Sequence, residues 1–514
     1  MAGTKDEGVG VTGSAWNDVR LDRRRFVTAS LVGGAGLVLA ACGRSTNPAA
    51  SNLDAAIAAA EVARPHTGRT VTATLTPQPA TIDLGGRLAR TFAYSDTLPG
   101  QLIRANVGDE LAVTVANRLD HPTSVHWHGI ALRNDMDGAT PASANIAAGT
   151  DFTYRFSLPD PGTYWAHPHT GLDADTGLYF PVIVDDPAEP GNYDAEWIVV
   201  LDDWTDGIGK SPEQIYDDLR GGHHMPSMDT MPGMPGMPGM PAASSDLLGG
   251  DAGDVTYPHY LVNGRIPAAP TVFDAKPGQR IRIRFINAGS DTAFRVALAG
   301  HAMTVTHTDG YAVVPTEVDA LLLGMGERYD VIVTAGDGVF PLVALAEGKN
   351  ALGRALLSTG AGTPPGADFQ PPELNGRVGT VDMFTATPAA GLGSANSGVD
   401  LAIDLTGSMM QYDWGINGKP YPDNPPLTIK QGQRATLRFT NSTAMWHPVH
   451  VHGHTFQIIK PDGSLGARKD TVIVLPQQKL SAVLVADNPG DWMIHCHNTY
   501  HQDAGMMTSL NYTN

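Results

Sequence analysis

Five His-x-His pairs constrain this chain more than any other feature: 126/128, 167/169, 450/452, 452/454 and 495/497. With 18 His in 514 residues, chance gives roughly 0.6 such pairs. On a β-strand, residues i and i+2 point to the same face. Each pair therefore sets two imidazoles side by side, and imidazole suits copper, zinc, iron and nickel. A fold that uses these pairs must bring strands from both ends of the chain together.

Strand parity sorts the donors. In "HWHG" (126–129), "HPH" (167–169), "HPVHVHG" (447–453) and "HCH" (495–497), eight histidines can converge on one polynuclear site. They are His126, His128, His167, His169, His450, His452, His495 and His497. Cys496 and His447 have the opposite parity and project toward a second site. His501 and Met506 lie past the last strand and can fold back to that second site. A cysteine, two histidines and a weak axial methionine form the blue-copper ligand set. The chain has only 2 Cys, so a ligand role explains a thiol pressed between two histidines. The backbone of Cys496 then joins the two sites directly.

The rest of the sequence predicts an all-β protein. "ELAVTVANRL" (110–119), "DFTYRFSL" (151–158), "RIRIRFIN" (280–287), "RYDVIVTAG" (328–336) and "RATLRFTN" (434–441) alternate with period two. With 58 Gly and 38 Pro, turns separate short strands, the β-sandwich pattern. A short Ala-rich helix is expected over 54–63. The Pro/Gly-rich stretches 184–194 and 360–376 read as linkers, dividing the chain into 66–190, 191–375 and 376–514. A formal charge of −19 argues against nucleic acid as a partner and favours cations.

Two segments stand outside this pattern. Residues 1–41 read as an export signal: "DRRRFVTAS" (22–30) precedes a short apolar run ending in "LAAC" (39–42). Paired arginines resemble a twin-arginine signal. The "LAAC" resembles a lipobox, which would make Cys42 a lipidated membrane anchor and 42–65 a tether. The second segment is 223–241, where Met225, Met228, Met231, Met234, Met237 and Met240 repeat every third residue. Its thioethers, with His223 and His224, suit capture of Cu(I).

These motifs resemble those of the three-domain multicopper oxidases, in order and spacing. The supporting sequence is similar too: "NDMDG" (134–138), "VNGR" (262–265), 307–333 and "INGK" (416–419). The resemblance covers essentially the whole mature chain and is nearest to bacterial lipoprotein copper-resistance oxidases, which are laccase-like. It implies three cupredoxin-like Greek-key sandwiches and four copper ions. Type 1 copper falls to His447, Cys496, His501 and Met506. Type 2 copper falls to His126 and His450. The type 3 pair falls to His128, His167, His169, His452, His495 and His497. His454 lies outside the pattern and reads as structural. Asp137 matches the family's proton-delivering carboxylate. Met445 matches a methionine that assists Cu(I) oxidation, although the companion carboxylate is Thr443 here. Many bacterial members carry Glu where this chain has Gln502, and an amide cannot relay a proton as an acid does. Neighbouring Asp503 is expected to point elsewhere.

The implied activity couples one-electron oxidation of Cu(I) to four-electron reduction of dioxygen, in copper detoxification on the extracytoplasmic side of the cell membrane. A laccase-like phenol oxidase, a ferroxidase using Fe(II), and a copper-storage protein are the competing readings. A copper nitrite reductase lacks the full set of His-x-His pairs.

Overall fold

The computed structural model describes residues 48–221, 243–394 and 396–513. The export signal, Cys42 and the methionine repeat at 223–241 lie outside the described residues.

Period-two patterning becomes sheet in each stretch expected: Glu110–Ala116, Asp151–Ser157, Arg280–Asn287, Arg328–Thr334 and Arg434–Asn441 are all strands. They belong to three two-sheet sandwiches. The first packs strands Thr70–Leu75, Glu110–Ala116 and Asp151–Ser157 against a four-stranded sheet that includes His126–His128 and Gly162–His167. Their inner faces share one core around Trp127, Tyr154 and Phe156. The second sandwich has two six-stranded sheets, and the third has a six-stranded and a five-stranded sheet. Each third uses the same early parallel pairing: Thr70–Leu75 with Glu110–Ala116, Ala195–Trp204 with Arg280–Asn287, and Val399–Thr406 with Arg434–Asn441. The architecture is one unit used three times.

Strand Arg280–Asn287 shows how the units join. Ile281, Ile283 and Phe285 are wholly buried in the core. The opposite face carries Arg282 and Arg284, and both are buried as well. Arg282 pairs with Asp330 at 2.6 Å and Glu189 at 2.7 Å, and Arg284 with Glu196 at 2.7 Å. Arg284 also donates to Thr163 Oγ1, 2.9 Å away in the first sandwich. An unpaired buried charge would cost several kcal/mol, of order 3–5, so these arginines require their partners at the joint.

Among the described residues three α-helices interrupt the sheets. Helix α1 spans Pro48–Ala63, beginning six residues before the expected Ala-rich stretch. The end of the segment read as a tether is docked: Glu61 accepts from the Ser157 N–H at 2.8 Å, and Arg64 donates to Ala131 O and Asn488 at 2.9 Å. Helix α2, Pro212–Arg220, opens with a capping box between Ser211 and Gln214 and has Pro at its first turn. Helix α3, Thr499–Asp503, follows the last His-x-His pair. Among the described residues no helix is long and apolar enough to cross a membrane.

Candidate metal centre

The eight histidines picked out by parity meet at the joint between the first and third sandwiches. Strand His126–His128 pairs with Gly162–His167, placing His126 opposite His167. Strand His447–Val451 pairs with Asp491–Cys496, placing His450 opposite His495. His126 stacks on His452 with ring centroids 3.8 Å apart, and His128 on His450 at the same distance. Across the seam, His169 Nε2 lies 3.3 Å from His495 Nε2, and His495 Nε2 lies 3.1 Å from His452 Nε2. His497 Nε2 faces His128 Nδ1 at 3.3 Å.

Close approach of the backbone makes this packing possible. Gly326, at φ 83°, passes against the rings: a Cβ there would lie 2.8 Å from His497 and 2.9 Å from His128. In "NDMDG", a Cβ on Gly138 would lie 1.8 Å from the Val125 carbonyl oxygen. Glycine at a positive φ is required at both turns.

The ring nitrogens fit metal binding. His126 Nδ1 donates to the Asp137 carbonyl at 3.1 Å, His167 Nδ1 to Pro168 at 2.9 Å, His450 Nδ1 to Asp470 at 3.0 Å and His495 Nδ1 to Cys496 at 2.9 Å. His452 Nδ1 bonds Asp137 Oδ2 at 2.8 Å. A proton held at Nδ1 leaves Nε2 as a bare lone pair. The Nε2 atoms of His126, His167 and His450 are buried without any hydrogen-bond partner. Lone pairs that face each other at 3.1–3.3 Å cannot bond one another, but a shared cation satisfies them. Burial, reinforced by neighbouring imidazoles, holds His128, His167, His169, His452, His495 and His497 well below the ordinary imidazole pKa. They are neutral, the form that binds metals.

A second pocket lies on the other side of the strand Asp491–Cys496. Cys496 Sγ is 3.6 Å from His447 Nδ1 and 3.7 Å from His501 Nδ1, and the two nitrogens are 3.1 Å apart. The local sequence explains the return of His501. Asn498 caps α3 by accepting from the backbone of Tyr500 and His501. The Met506 amide then bonds His501 O, and the Cys496 amide bonds Met506 O at 3.0 Å. Met506 is wholly buried beside the pocket's backbone. The outer nitrogens are pinned: His447 Nε2 to Thr443 Oγ1 at 2.8 Å, and His501 Nε2 to Asp254 Oδ2 at 3.0 Å. Burial lowers the His447 pKa; at His501 it acts the same way, but Asp254 and Cys496 carry the value up to about 10.

Multicopper oxidase family models match residues 396–514, 77–189 and 195–361. The chain belongs to the multicopper oxidase family. It is 65% identical over 502 residues to multicopper oxidase MmcO of Mycobacterium tuberculosis, covering 98% of each chain. It is 28% identical to a copper resistance protein A homolog of Pseudomonas syringae pv. tomato, over 84% of this chain and 90% of that one. The laccase of Botrytis aclada has the same fold, with a TM-score of 0.68 at 24% identity over 88% and 89% of the two chains.

The oxidase family carries type 1, type 2 and type 3 coppers, and the two pockets offer donor sets of the corresponding kinds. The remaining sequence expectations fall around them. Asp137 is buried at the seam, with Oδ1 unpartnered and 3.3 Å from His126. His454 Nδ1 donates to His452 O at 3.1 Å and its Nε2 accepts from the Tyr512 hydroxyl at 2.7 Å, away from the converging nitrogens. Met445 is buried, its amide bonded to Thr443 Oγ1 at 3.2 Å. Gln502 and Asp503 lie on α3, and Asp503 interacts with Tyr216.

Two carboxylates escaped the sequence reading. Asp470 Oδ1 sits 3.3 Å from His128 Nε2 and 3.4 Å from His450 Nδ1. Burial opposes its charge, but the Arg328 fork at 2.6 and 2.7 Å holds it far below the usual carboxylate range. Arg328 also donates to Thr163 O, so one guanidinium ties all three sandwiches beside the histidines. The other is Asp254 at His501. The charged doublet Lys469–Asp470 entering an apolar strand was the available signal for the first; a loop aspartate like Asp254 gives none.

Proposed function

We propose that this oxidase takes electrons singly from Cu(I) at the Cys496 pocket and uses them to reduce dioxygen to water at the eight-histidine pocket. The observation that carries the reading is the backbone continuity of the two: Cys496 sits between His495 and His497, whose rings face the other pocket. In this assignment His447, Cys496, His501 and Met506 hold type 1 copper. His126 and His450 hold type 2 copper. His128, His167 and His497 hold one type 3 ion, and His169, His452 and His495 the other. The bound coppers supply one-electron acceptance at the first pocket and four-electron oxygen reduction at the second.

The chain's own residues set the conditions. The backbone carbonyls and carboxylates on the outer ring nitrogens fix each imidazole's tautomer and direction. Burial of both pockets excludes bulk water. Asp137, bonded to His452 through Oδ2 and with Oδ1 unpartnered, is placed at the seam to pass protons toward the eight-histidine pocket. That position supports Asp137 as the proton source where Gln502 cannot serve.

Cu(I) as the reductant is supported by likeness to copper resistance protein A and by the methionine repeat at 225–240. Burial of Met445 gives it a packing role as well as proximity to His447. Export through the twin-arginine route, anchoring by lipidated Cys42 on the outer face of the membrane, and boundaries at 66–190, 191–375 and 376–514 complete the reading. Oxygen uptake with chelated Cu(I), dimethoxyphenol and Fe(II) tests it. Cu(I) should give the highest kcat/KM, and deletion of 223–241 should lower that value while leaving phenol oxidation intact. Equal loss of both activities removes the repeat from the reaction, and a phenol preference overturns the Cu(I) assignment in favour of a laccase-like one. Cys42→Ala should release the protein from membranes; continued retention would count against the anchor.

A further inference from the structure

Helix α3 is five residues long and carries His501. A helix this short does not hold itself, because its few hydrogen bonds barely offset the cost of nucleation. Its direction is therefore set from outside, by ties to the other two sandwiches. From the second sandwich, Asp291 Oδ1 accepts from Asn498, the capping residue, at 2.8 Å, and Ser290 O accepts from the Thr499 amide at 3.0 Å. Asp291 is itself fixed by Lys349 at 2.6 Å. From the first sandwich comes Asp175, whose Oδ2 accepts from the Tyr500 hydroxyl. Both side chains of that pair are buried, Tyr500 wholly so.

Asp175 stands on the loop that follows His169, a donor of the eight-histidine pocket. The loop is held by its own bonds. The Asp173 amide donates to Thr170 O at 3.3 Å, the Asp175 amide to Leu172 O at 3.0 Å and the Thr176 hydroxyl to Asp173 O at 2.6 Å. His121 Nε2 meets the Asp173 carboxyl group at 3.2 Å. The Asp175 carboxyl thus projects from a fixed turn. Its Oδ2 also accepts from the Tyr257 hydroxyl at 3.2 Å, so all three sandwiches meet at one oxygen. Burial, with Asp203 nearby, pushes Asp175 well above the usual carboxyl range. It is a neutral acid, and its role is that of an acceptor rather than of a charge. Tyr216 of α2 stacks on the Tyr500 ring with centroids 6.5 Å apart. That stack keeps the plane of the ring but not its position within the plane; the hydroxyl bond sets the latter.

We propose that Asp175 is a positioning residue for the Cys496 pocket: by holding the Tyr500 hydroxyl it sets the angle of α3 and so aims the His501 Nδ1 lone pair toward Cys496 and His447. The inference rests on the reading of that pocket as the type 1 site. Asp175 reaches the pocket only through Tyr500, which precedes His501 in the chain. The same bond ties the loop behind one pocket to the helix of the other.

The test uses the copper-loaded oxidase. Asp175→Leu and Tyr500→Phe should each leave the protein blue, but shift the thiolate band, change the copper hyperfine splitting in the EPR spectrum and move the type 1 potential in the same direction. Each should lower kcat for dimethoxyphenol by about tenfold, the low end of what a lost outer-sphere hydrogen bond costs at a metal site, with KM little changed. The Asp175→Leu/Tyr500→Phe double variant should fall no further than the worse single one, because both remove the same bond. Asp175→Asn keeps an acceptor oxygen and should recover the wild-type band and potential. Tyr257→Phe leaves the Asp175–Tyr500 bond intact and should disturb both less than either single variant. Unshifted spectra in Tyr500→Phe, additive losses, failure of asparagine to rescue, or a larger shift in Tyr257→Phe would each overturn the proposal. Should Asp175→Leu fail to fold, Tyr500→Phe set against Asp175→Asn carries the comparison. The blue band and phenol oxidation of the wild type report separately on the Cys496 pocket itself, so failure of that reading is distinguishable.

Discussion

The Cys496 pocket draws its nitrogen and sulfur donors from a span of 54 residues within the third sandwich. The eight-histidine pocket takes four donors from 126–169 and four from 450–497, across a seam between two sandwiches. The first pocket draws its donors from one sandwich, and Asp254 reaches His501 from outside it. The second exists only after two sandwiches dock, and Arg328, Thr163 and Asp470 hold that docking. One pocket is a property of a local turn, the other of the assembled chain. Metal held by donors from both sandwiches would staple them together, so its removal should loosen the seam.

Removing the shared residue gives the largest effect. Cys496→Ser should abolish the intense blue absorption and all oxygen uptake together, with the circular dichroism of the folded protein retained. A variant that stayed blue would mean that the thiolate is not the type 1 ligand. Removing a donor of the assembled pocket should separate the two. His167→Ala, or His495→Ala, should stop oxygen reduction while the blue site survives and still bleaches with reductant. Persistent oxygen uptake would contradict the eight-histidine assignment.

The two pockets were not equally legible in the sequence. Strand parity alone separates Cys496 from His495 and His497, because a strand reverses side chains at each residue. It also groups the four His-x-His pairs, and the alternating runs mark sandwich strands such as Arg280–Asn287. What parity cannot give is the partner across a seam. Arg282 and Arg284 read as one face of a strand, yet they are buried because Glu189, Glu196 and Asp330 arrive from other segments. Asp254 was invisible for the same reason, and Asp470 showed only as a charged doublet with Lys469: each meets its histidines only after separate segments pack. Helix α2 was missed because its capping signals, Ser211, Pro212 and Gln214, lie in a chain dominated by strand patterning.

The seam makes the next prediction. Asp470→Asn removes the charge facing Arg328 without changing shape. Breaking a buried ion pair costs about 3–5 kcal/mol, and Asp309 Oδ1, 3.7 Å from Arg328, makes that the upper limit here. Equilibrium denaturation should register that loss. Because Asp470 also orients His128 and His450, copper at the assembled pocket should bind more weakly, by about 10- to 100-fold, while the blue band keeps its position. An equal disturbance of both pockets would erase the distinction between them.

The smallest expected effect probes the local pocket from its outer side. Thr443 Oγ1 accepts from His447 Nε2 at 2.8 Å and from the Met445 amide at 3.2 Å, and itself donates to Asn441 Oδ1 at 2.8 Å. Thr443→Val is close in volume but removes the hydroxyl, leaving the imidazole N–H buried without an acceptor. A buried donor left unsatisfied costs about 1–3 kcal/mol, and His447 is freed to rotate. The variant should stay blue, with a shifted band and altered type 1 potential, and should lose stability on that scale. Oxygen reduction driven by excess reductant should change only a few-fold, because no donor of the assembled pocket touches Thr443. Thr443→Ser keeps the hydroxyl and should restore both band and potential. Restoration by serine would tie the effect to the hydrogen bond, whereas a defect shared by both variants would tie it to packing of the methyl group.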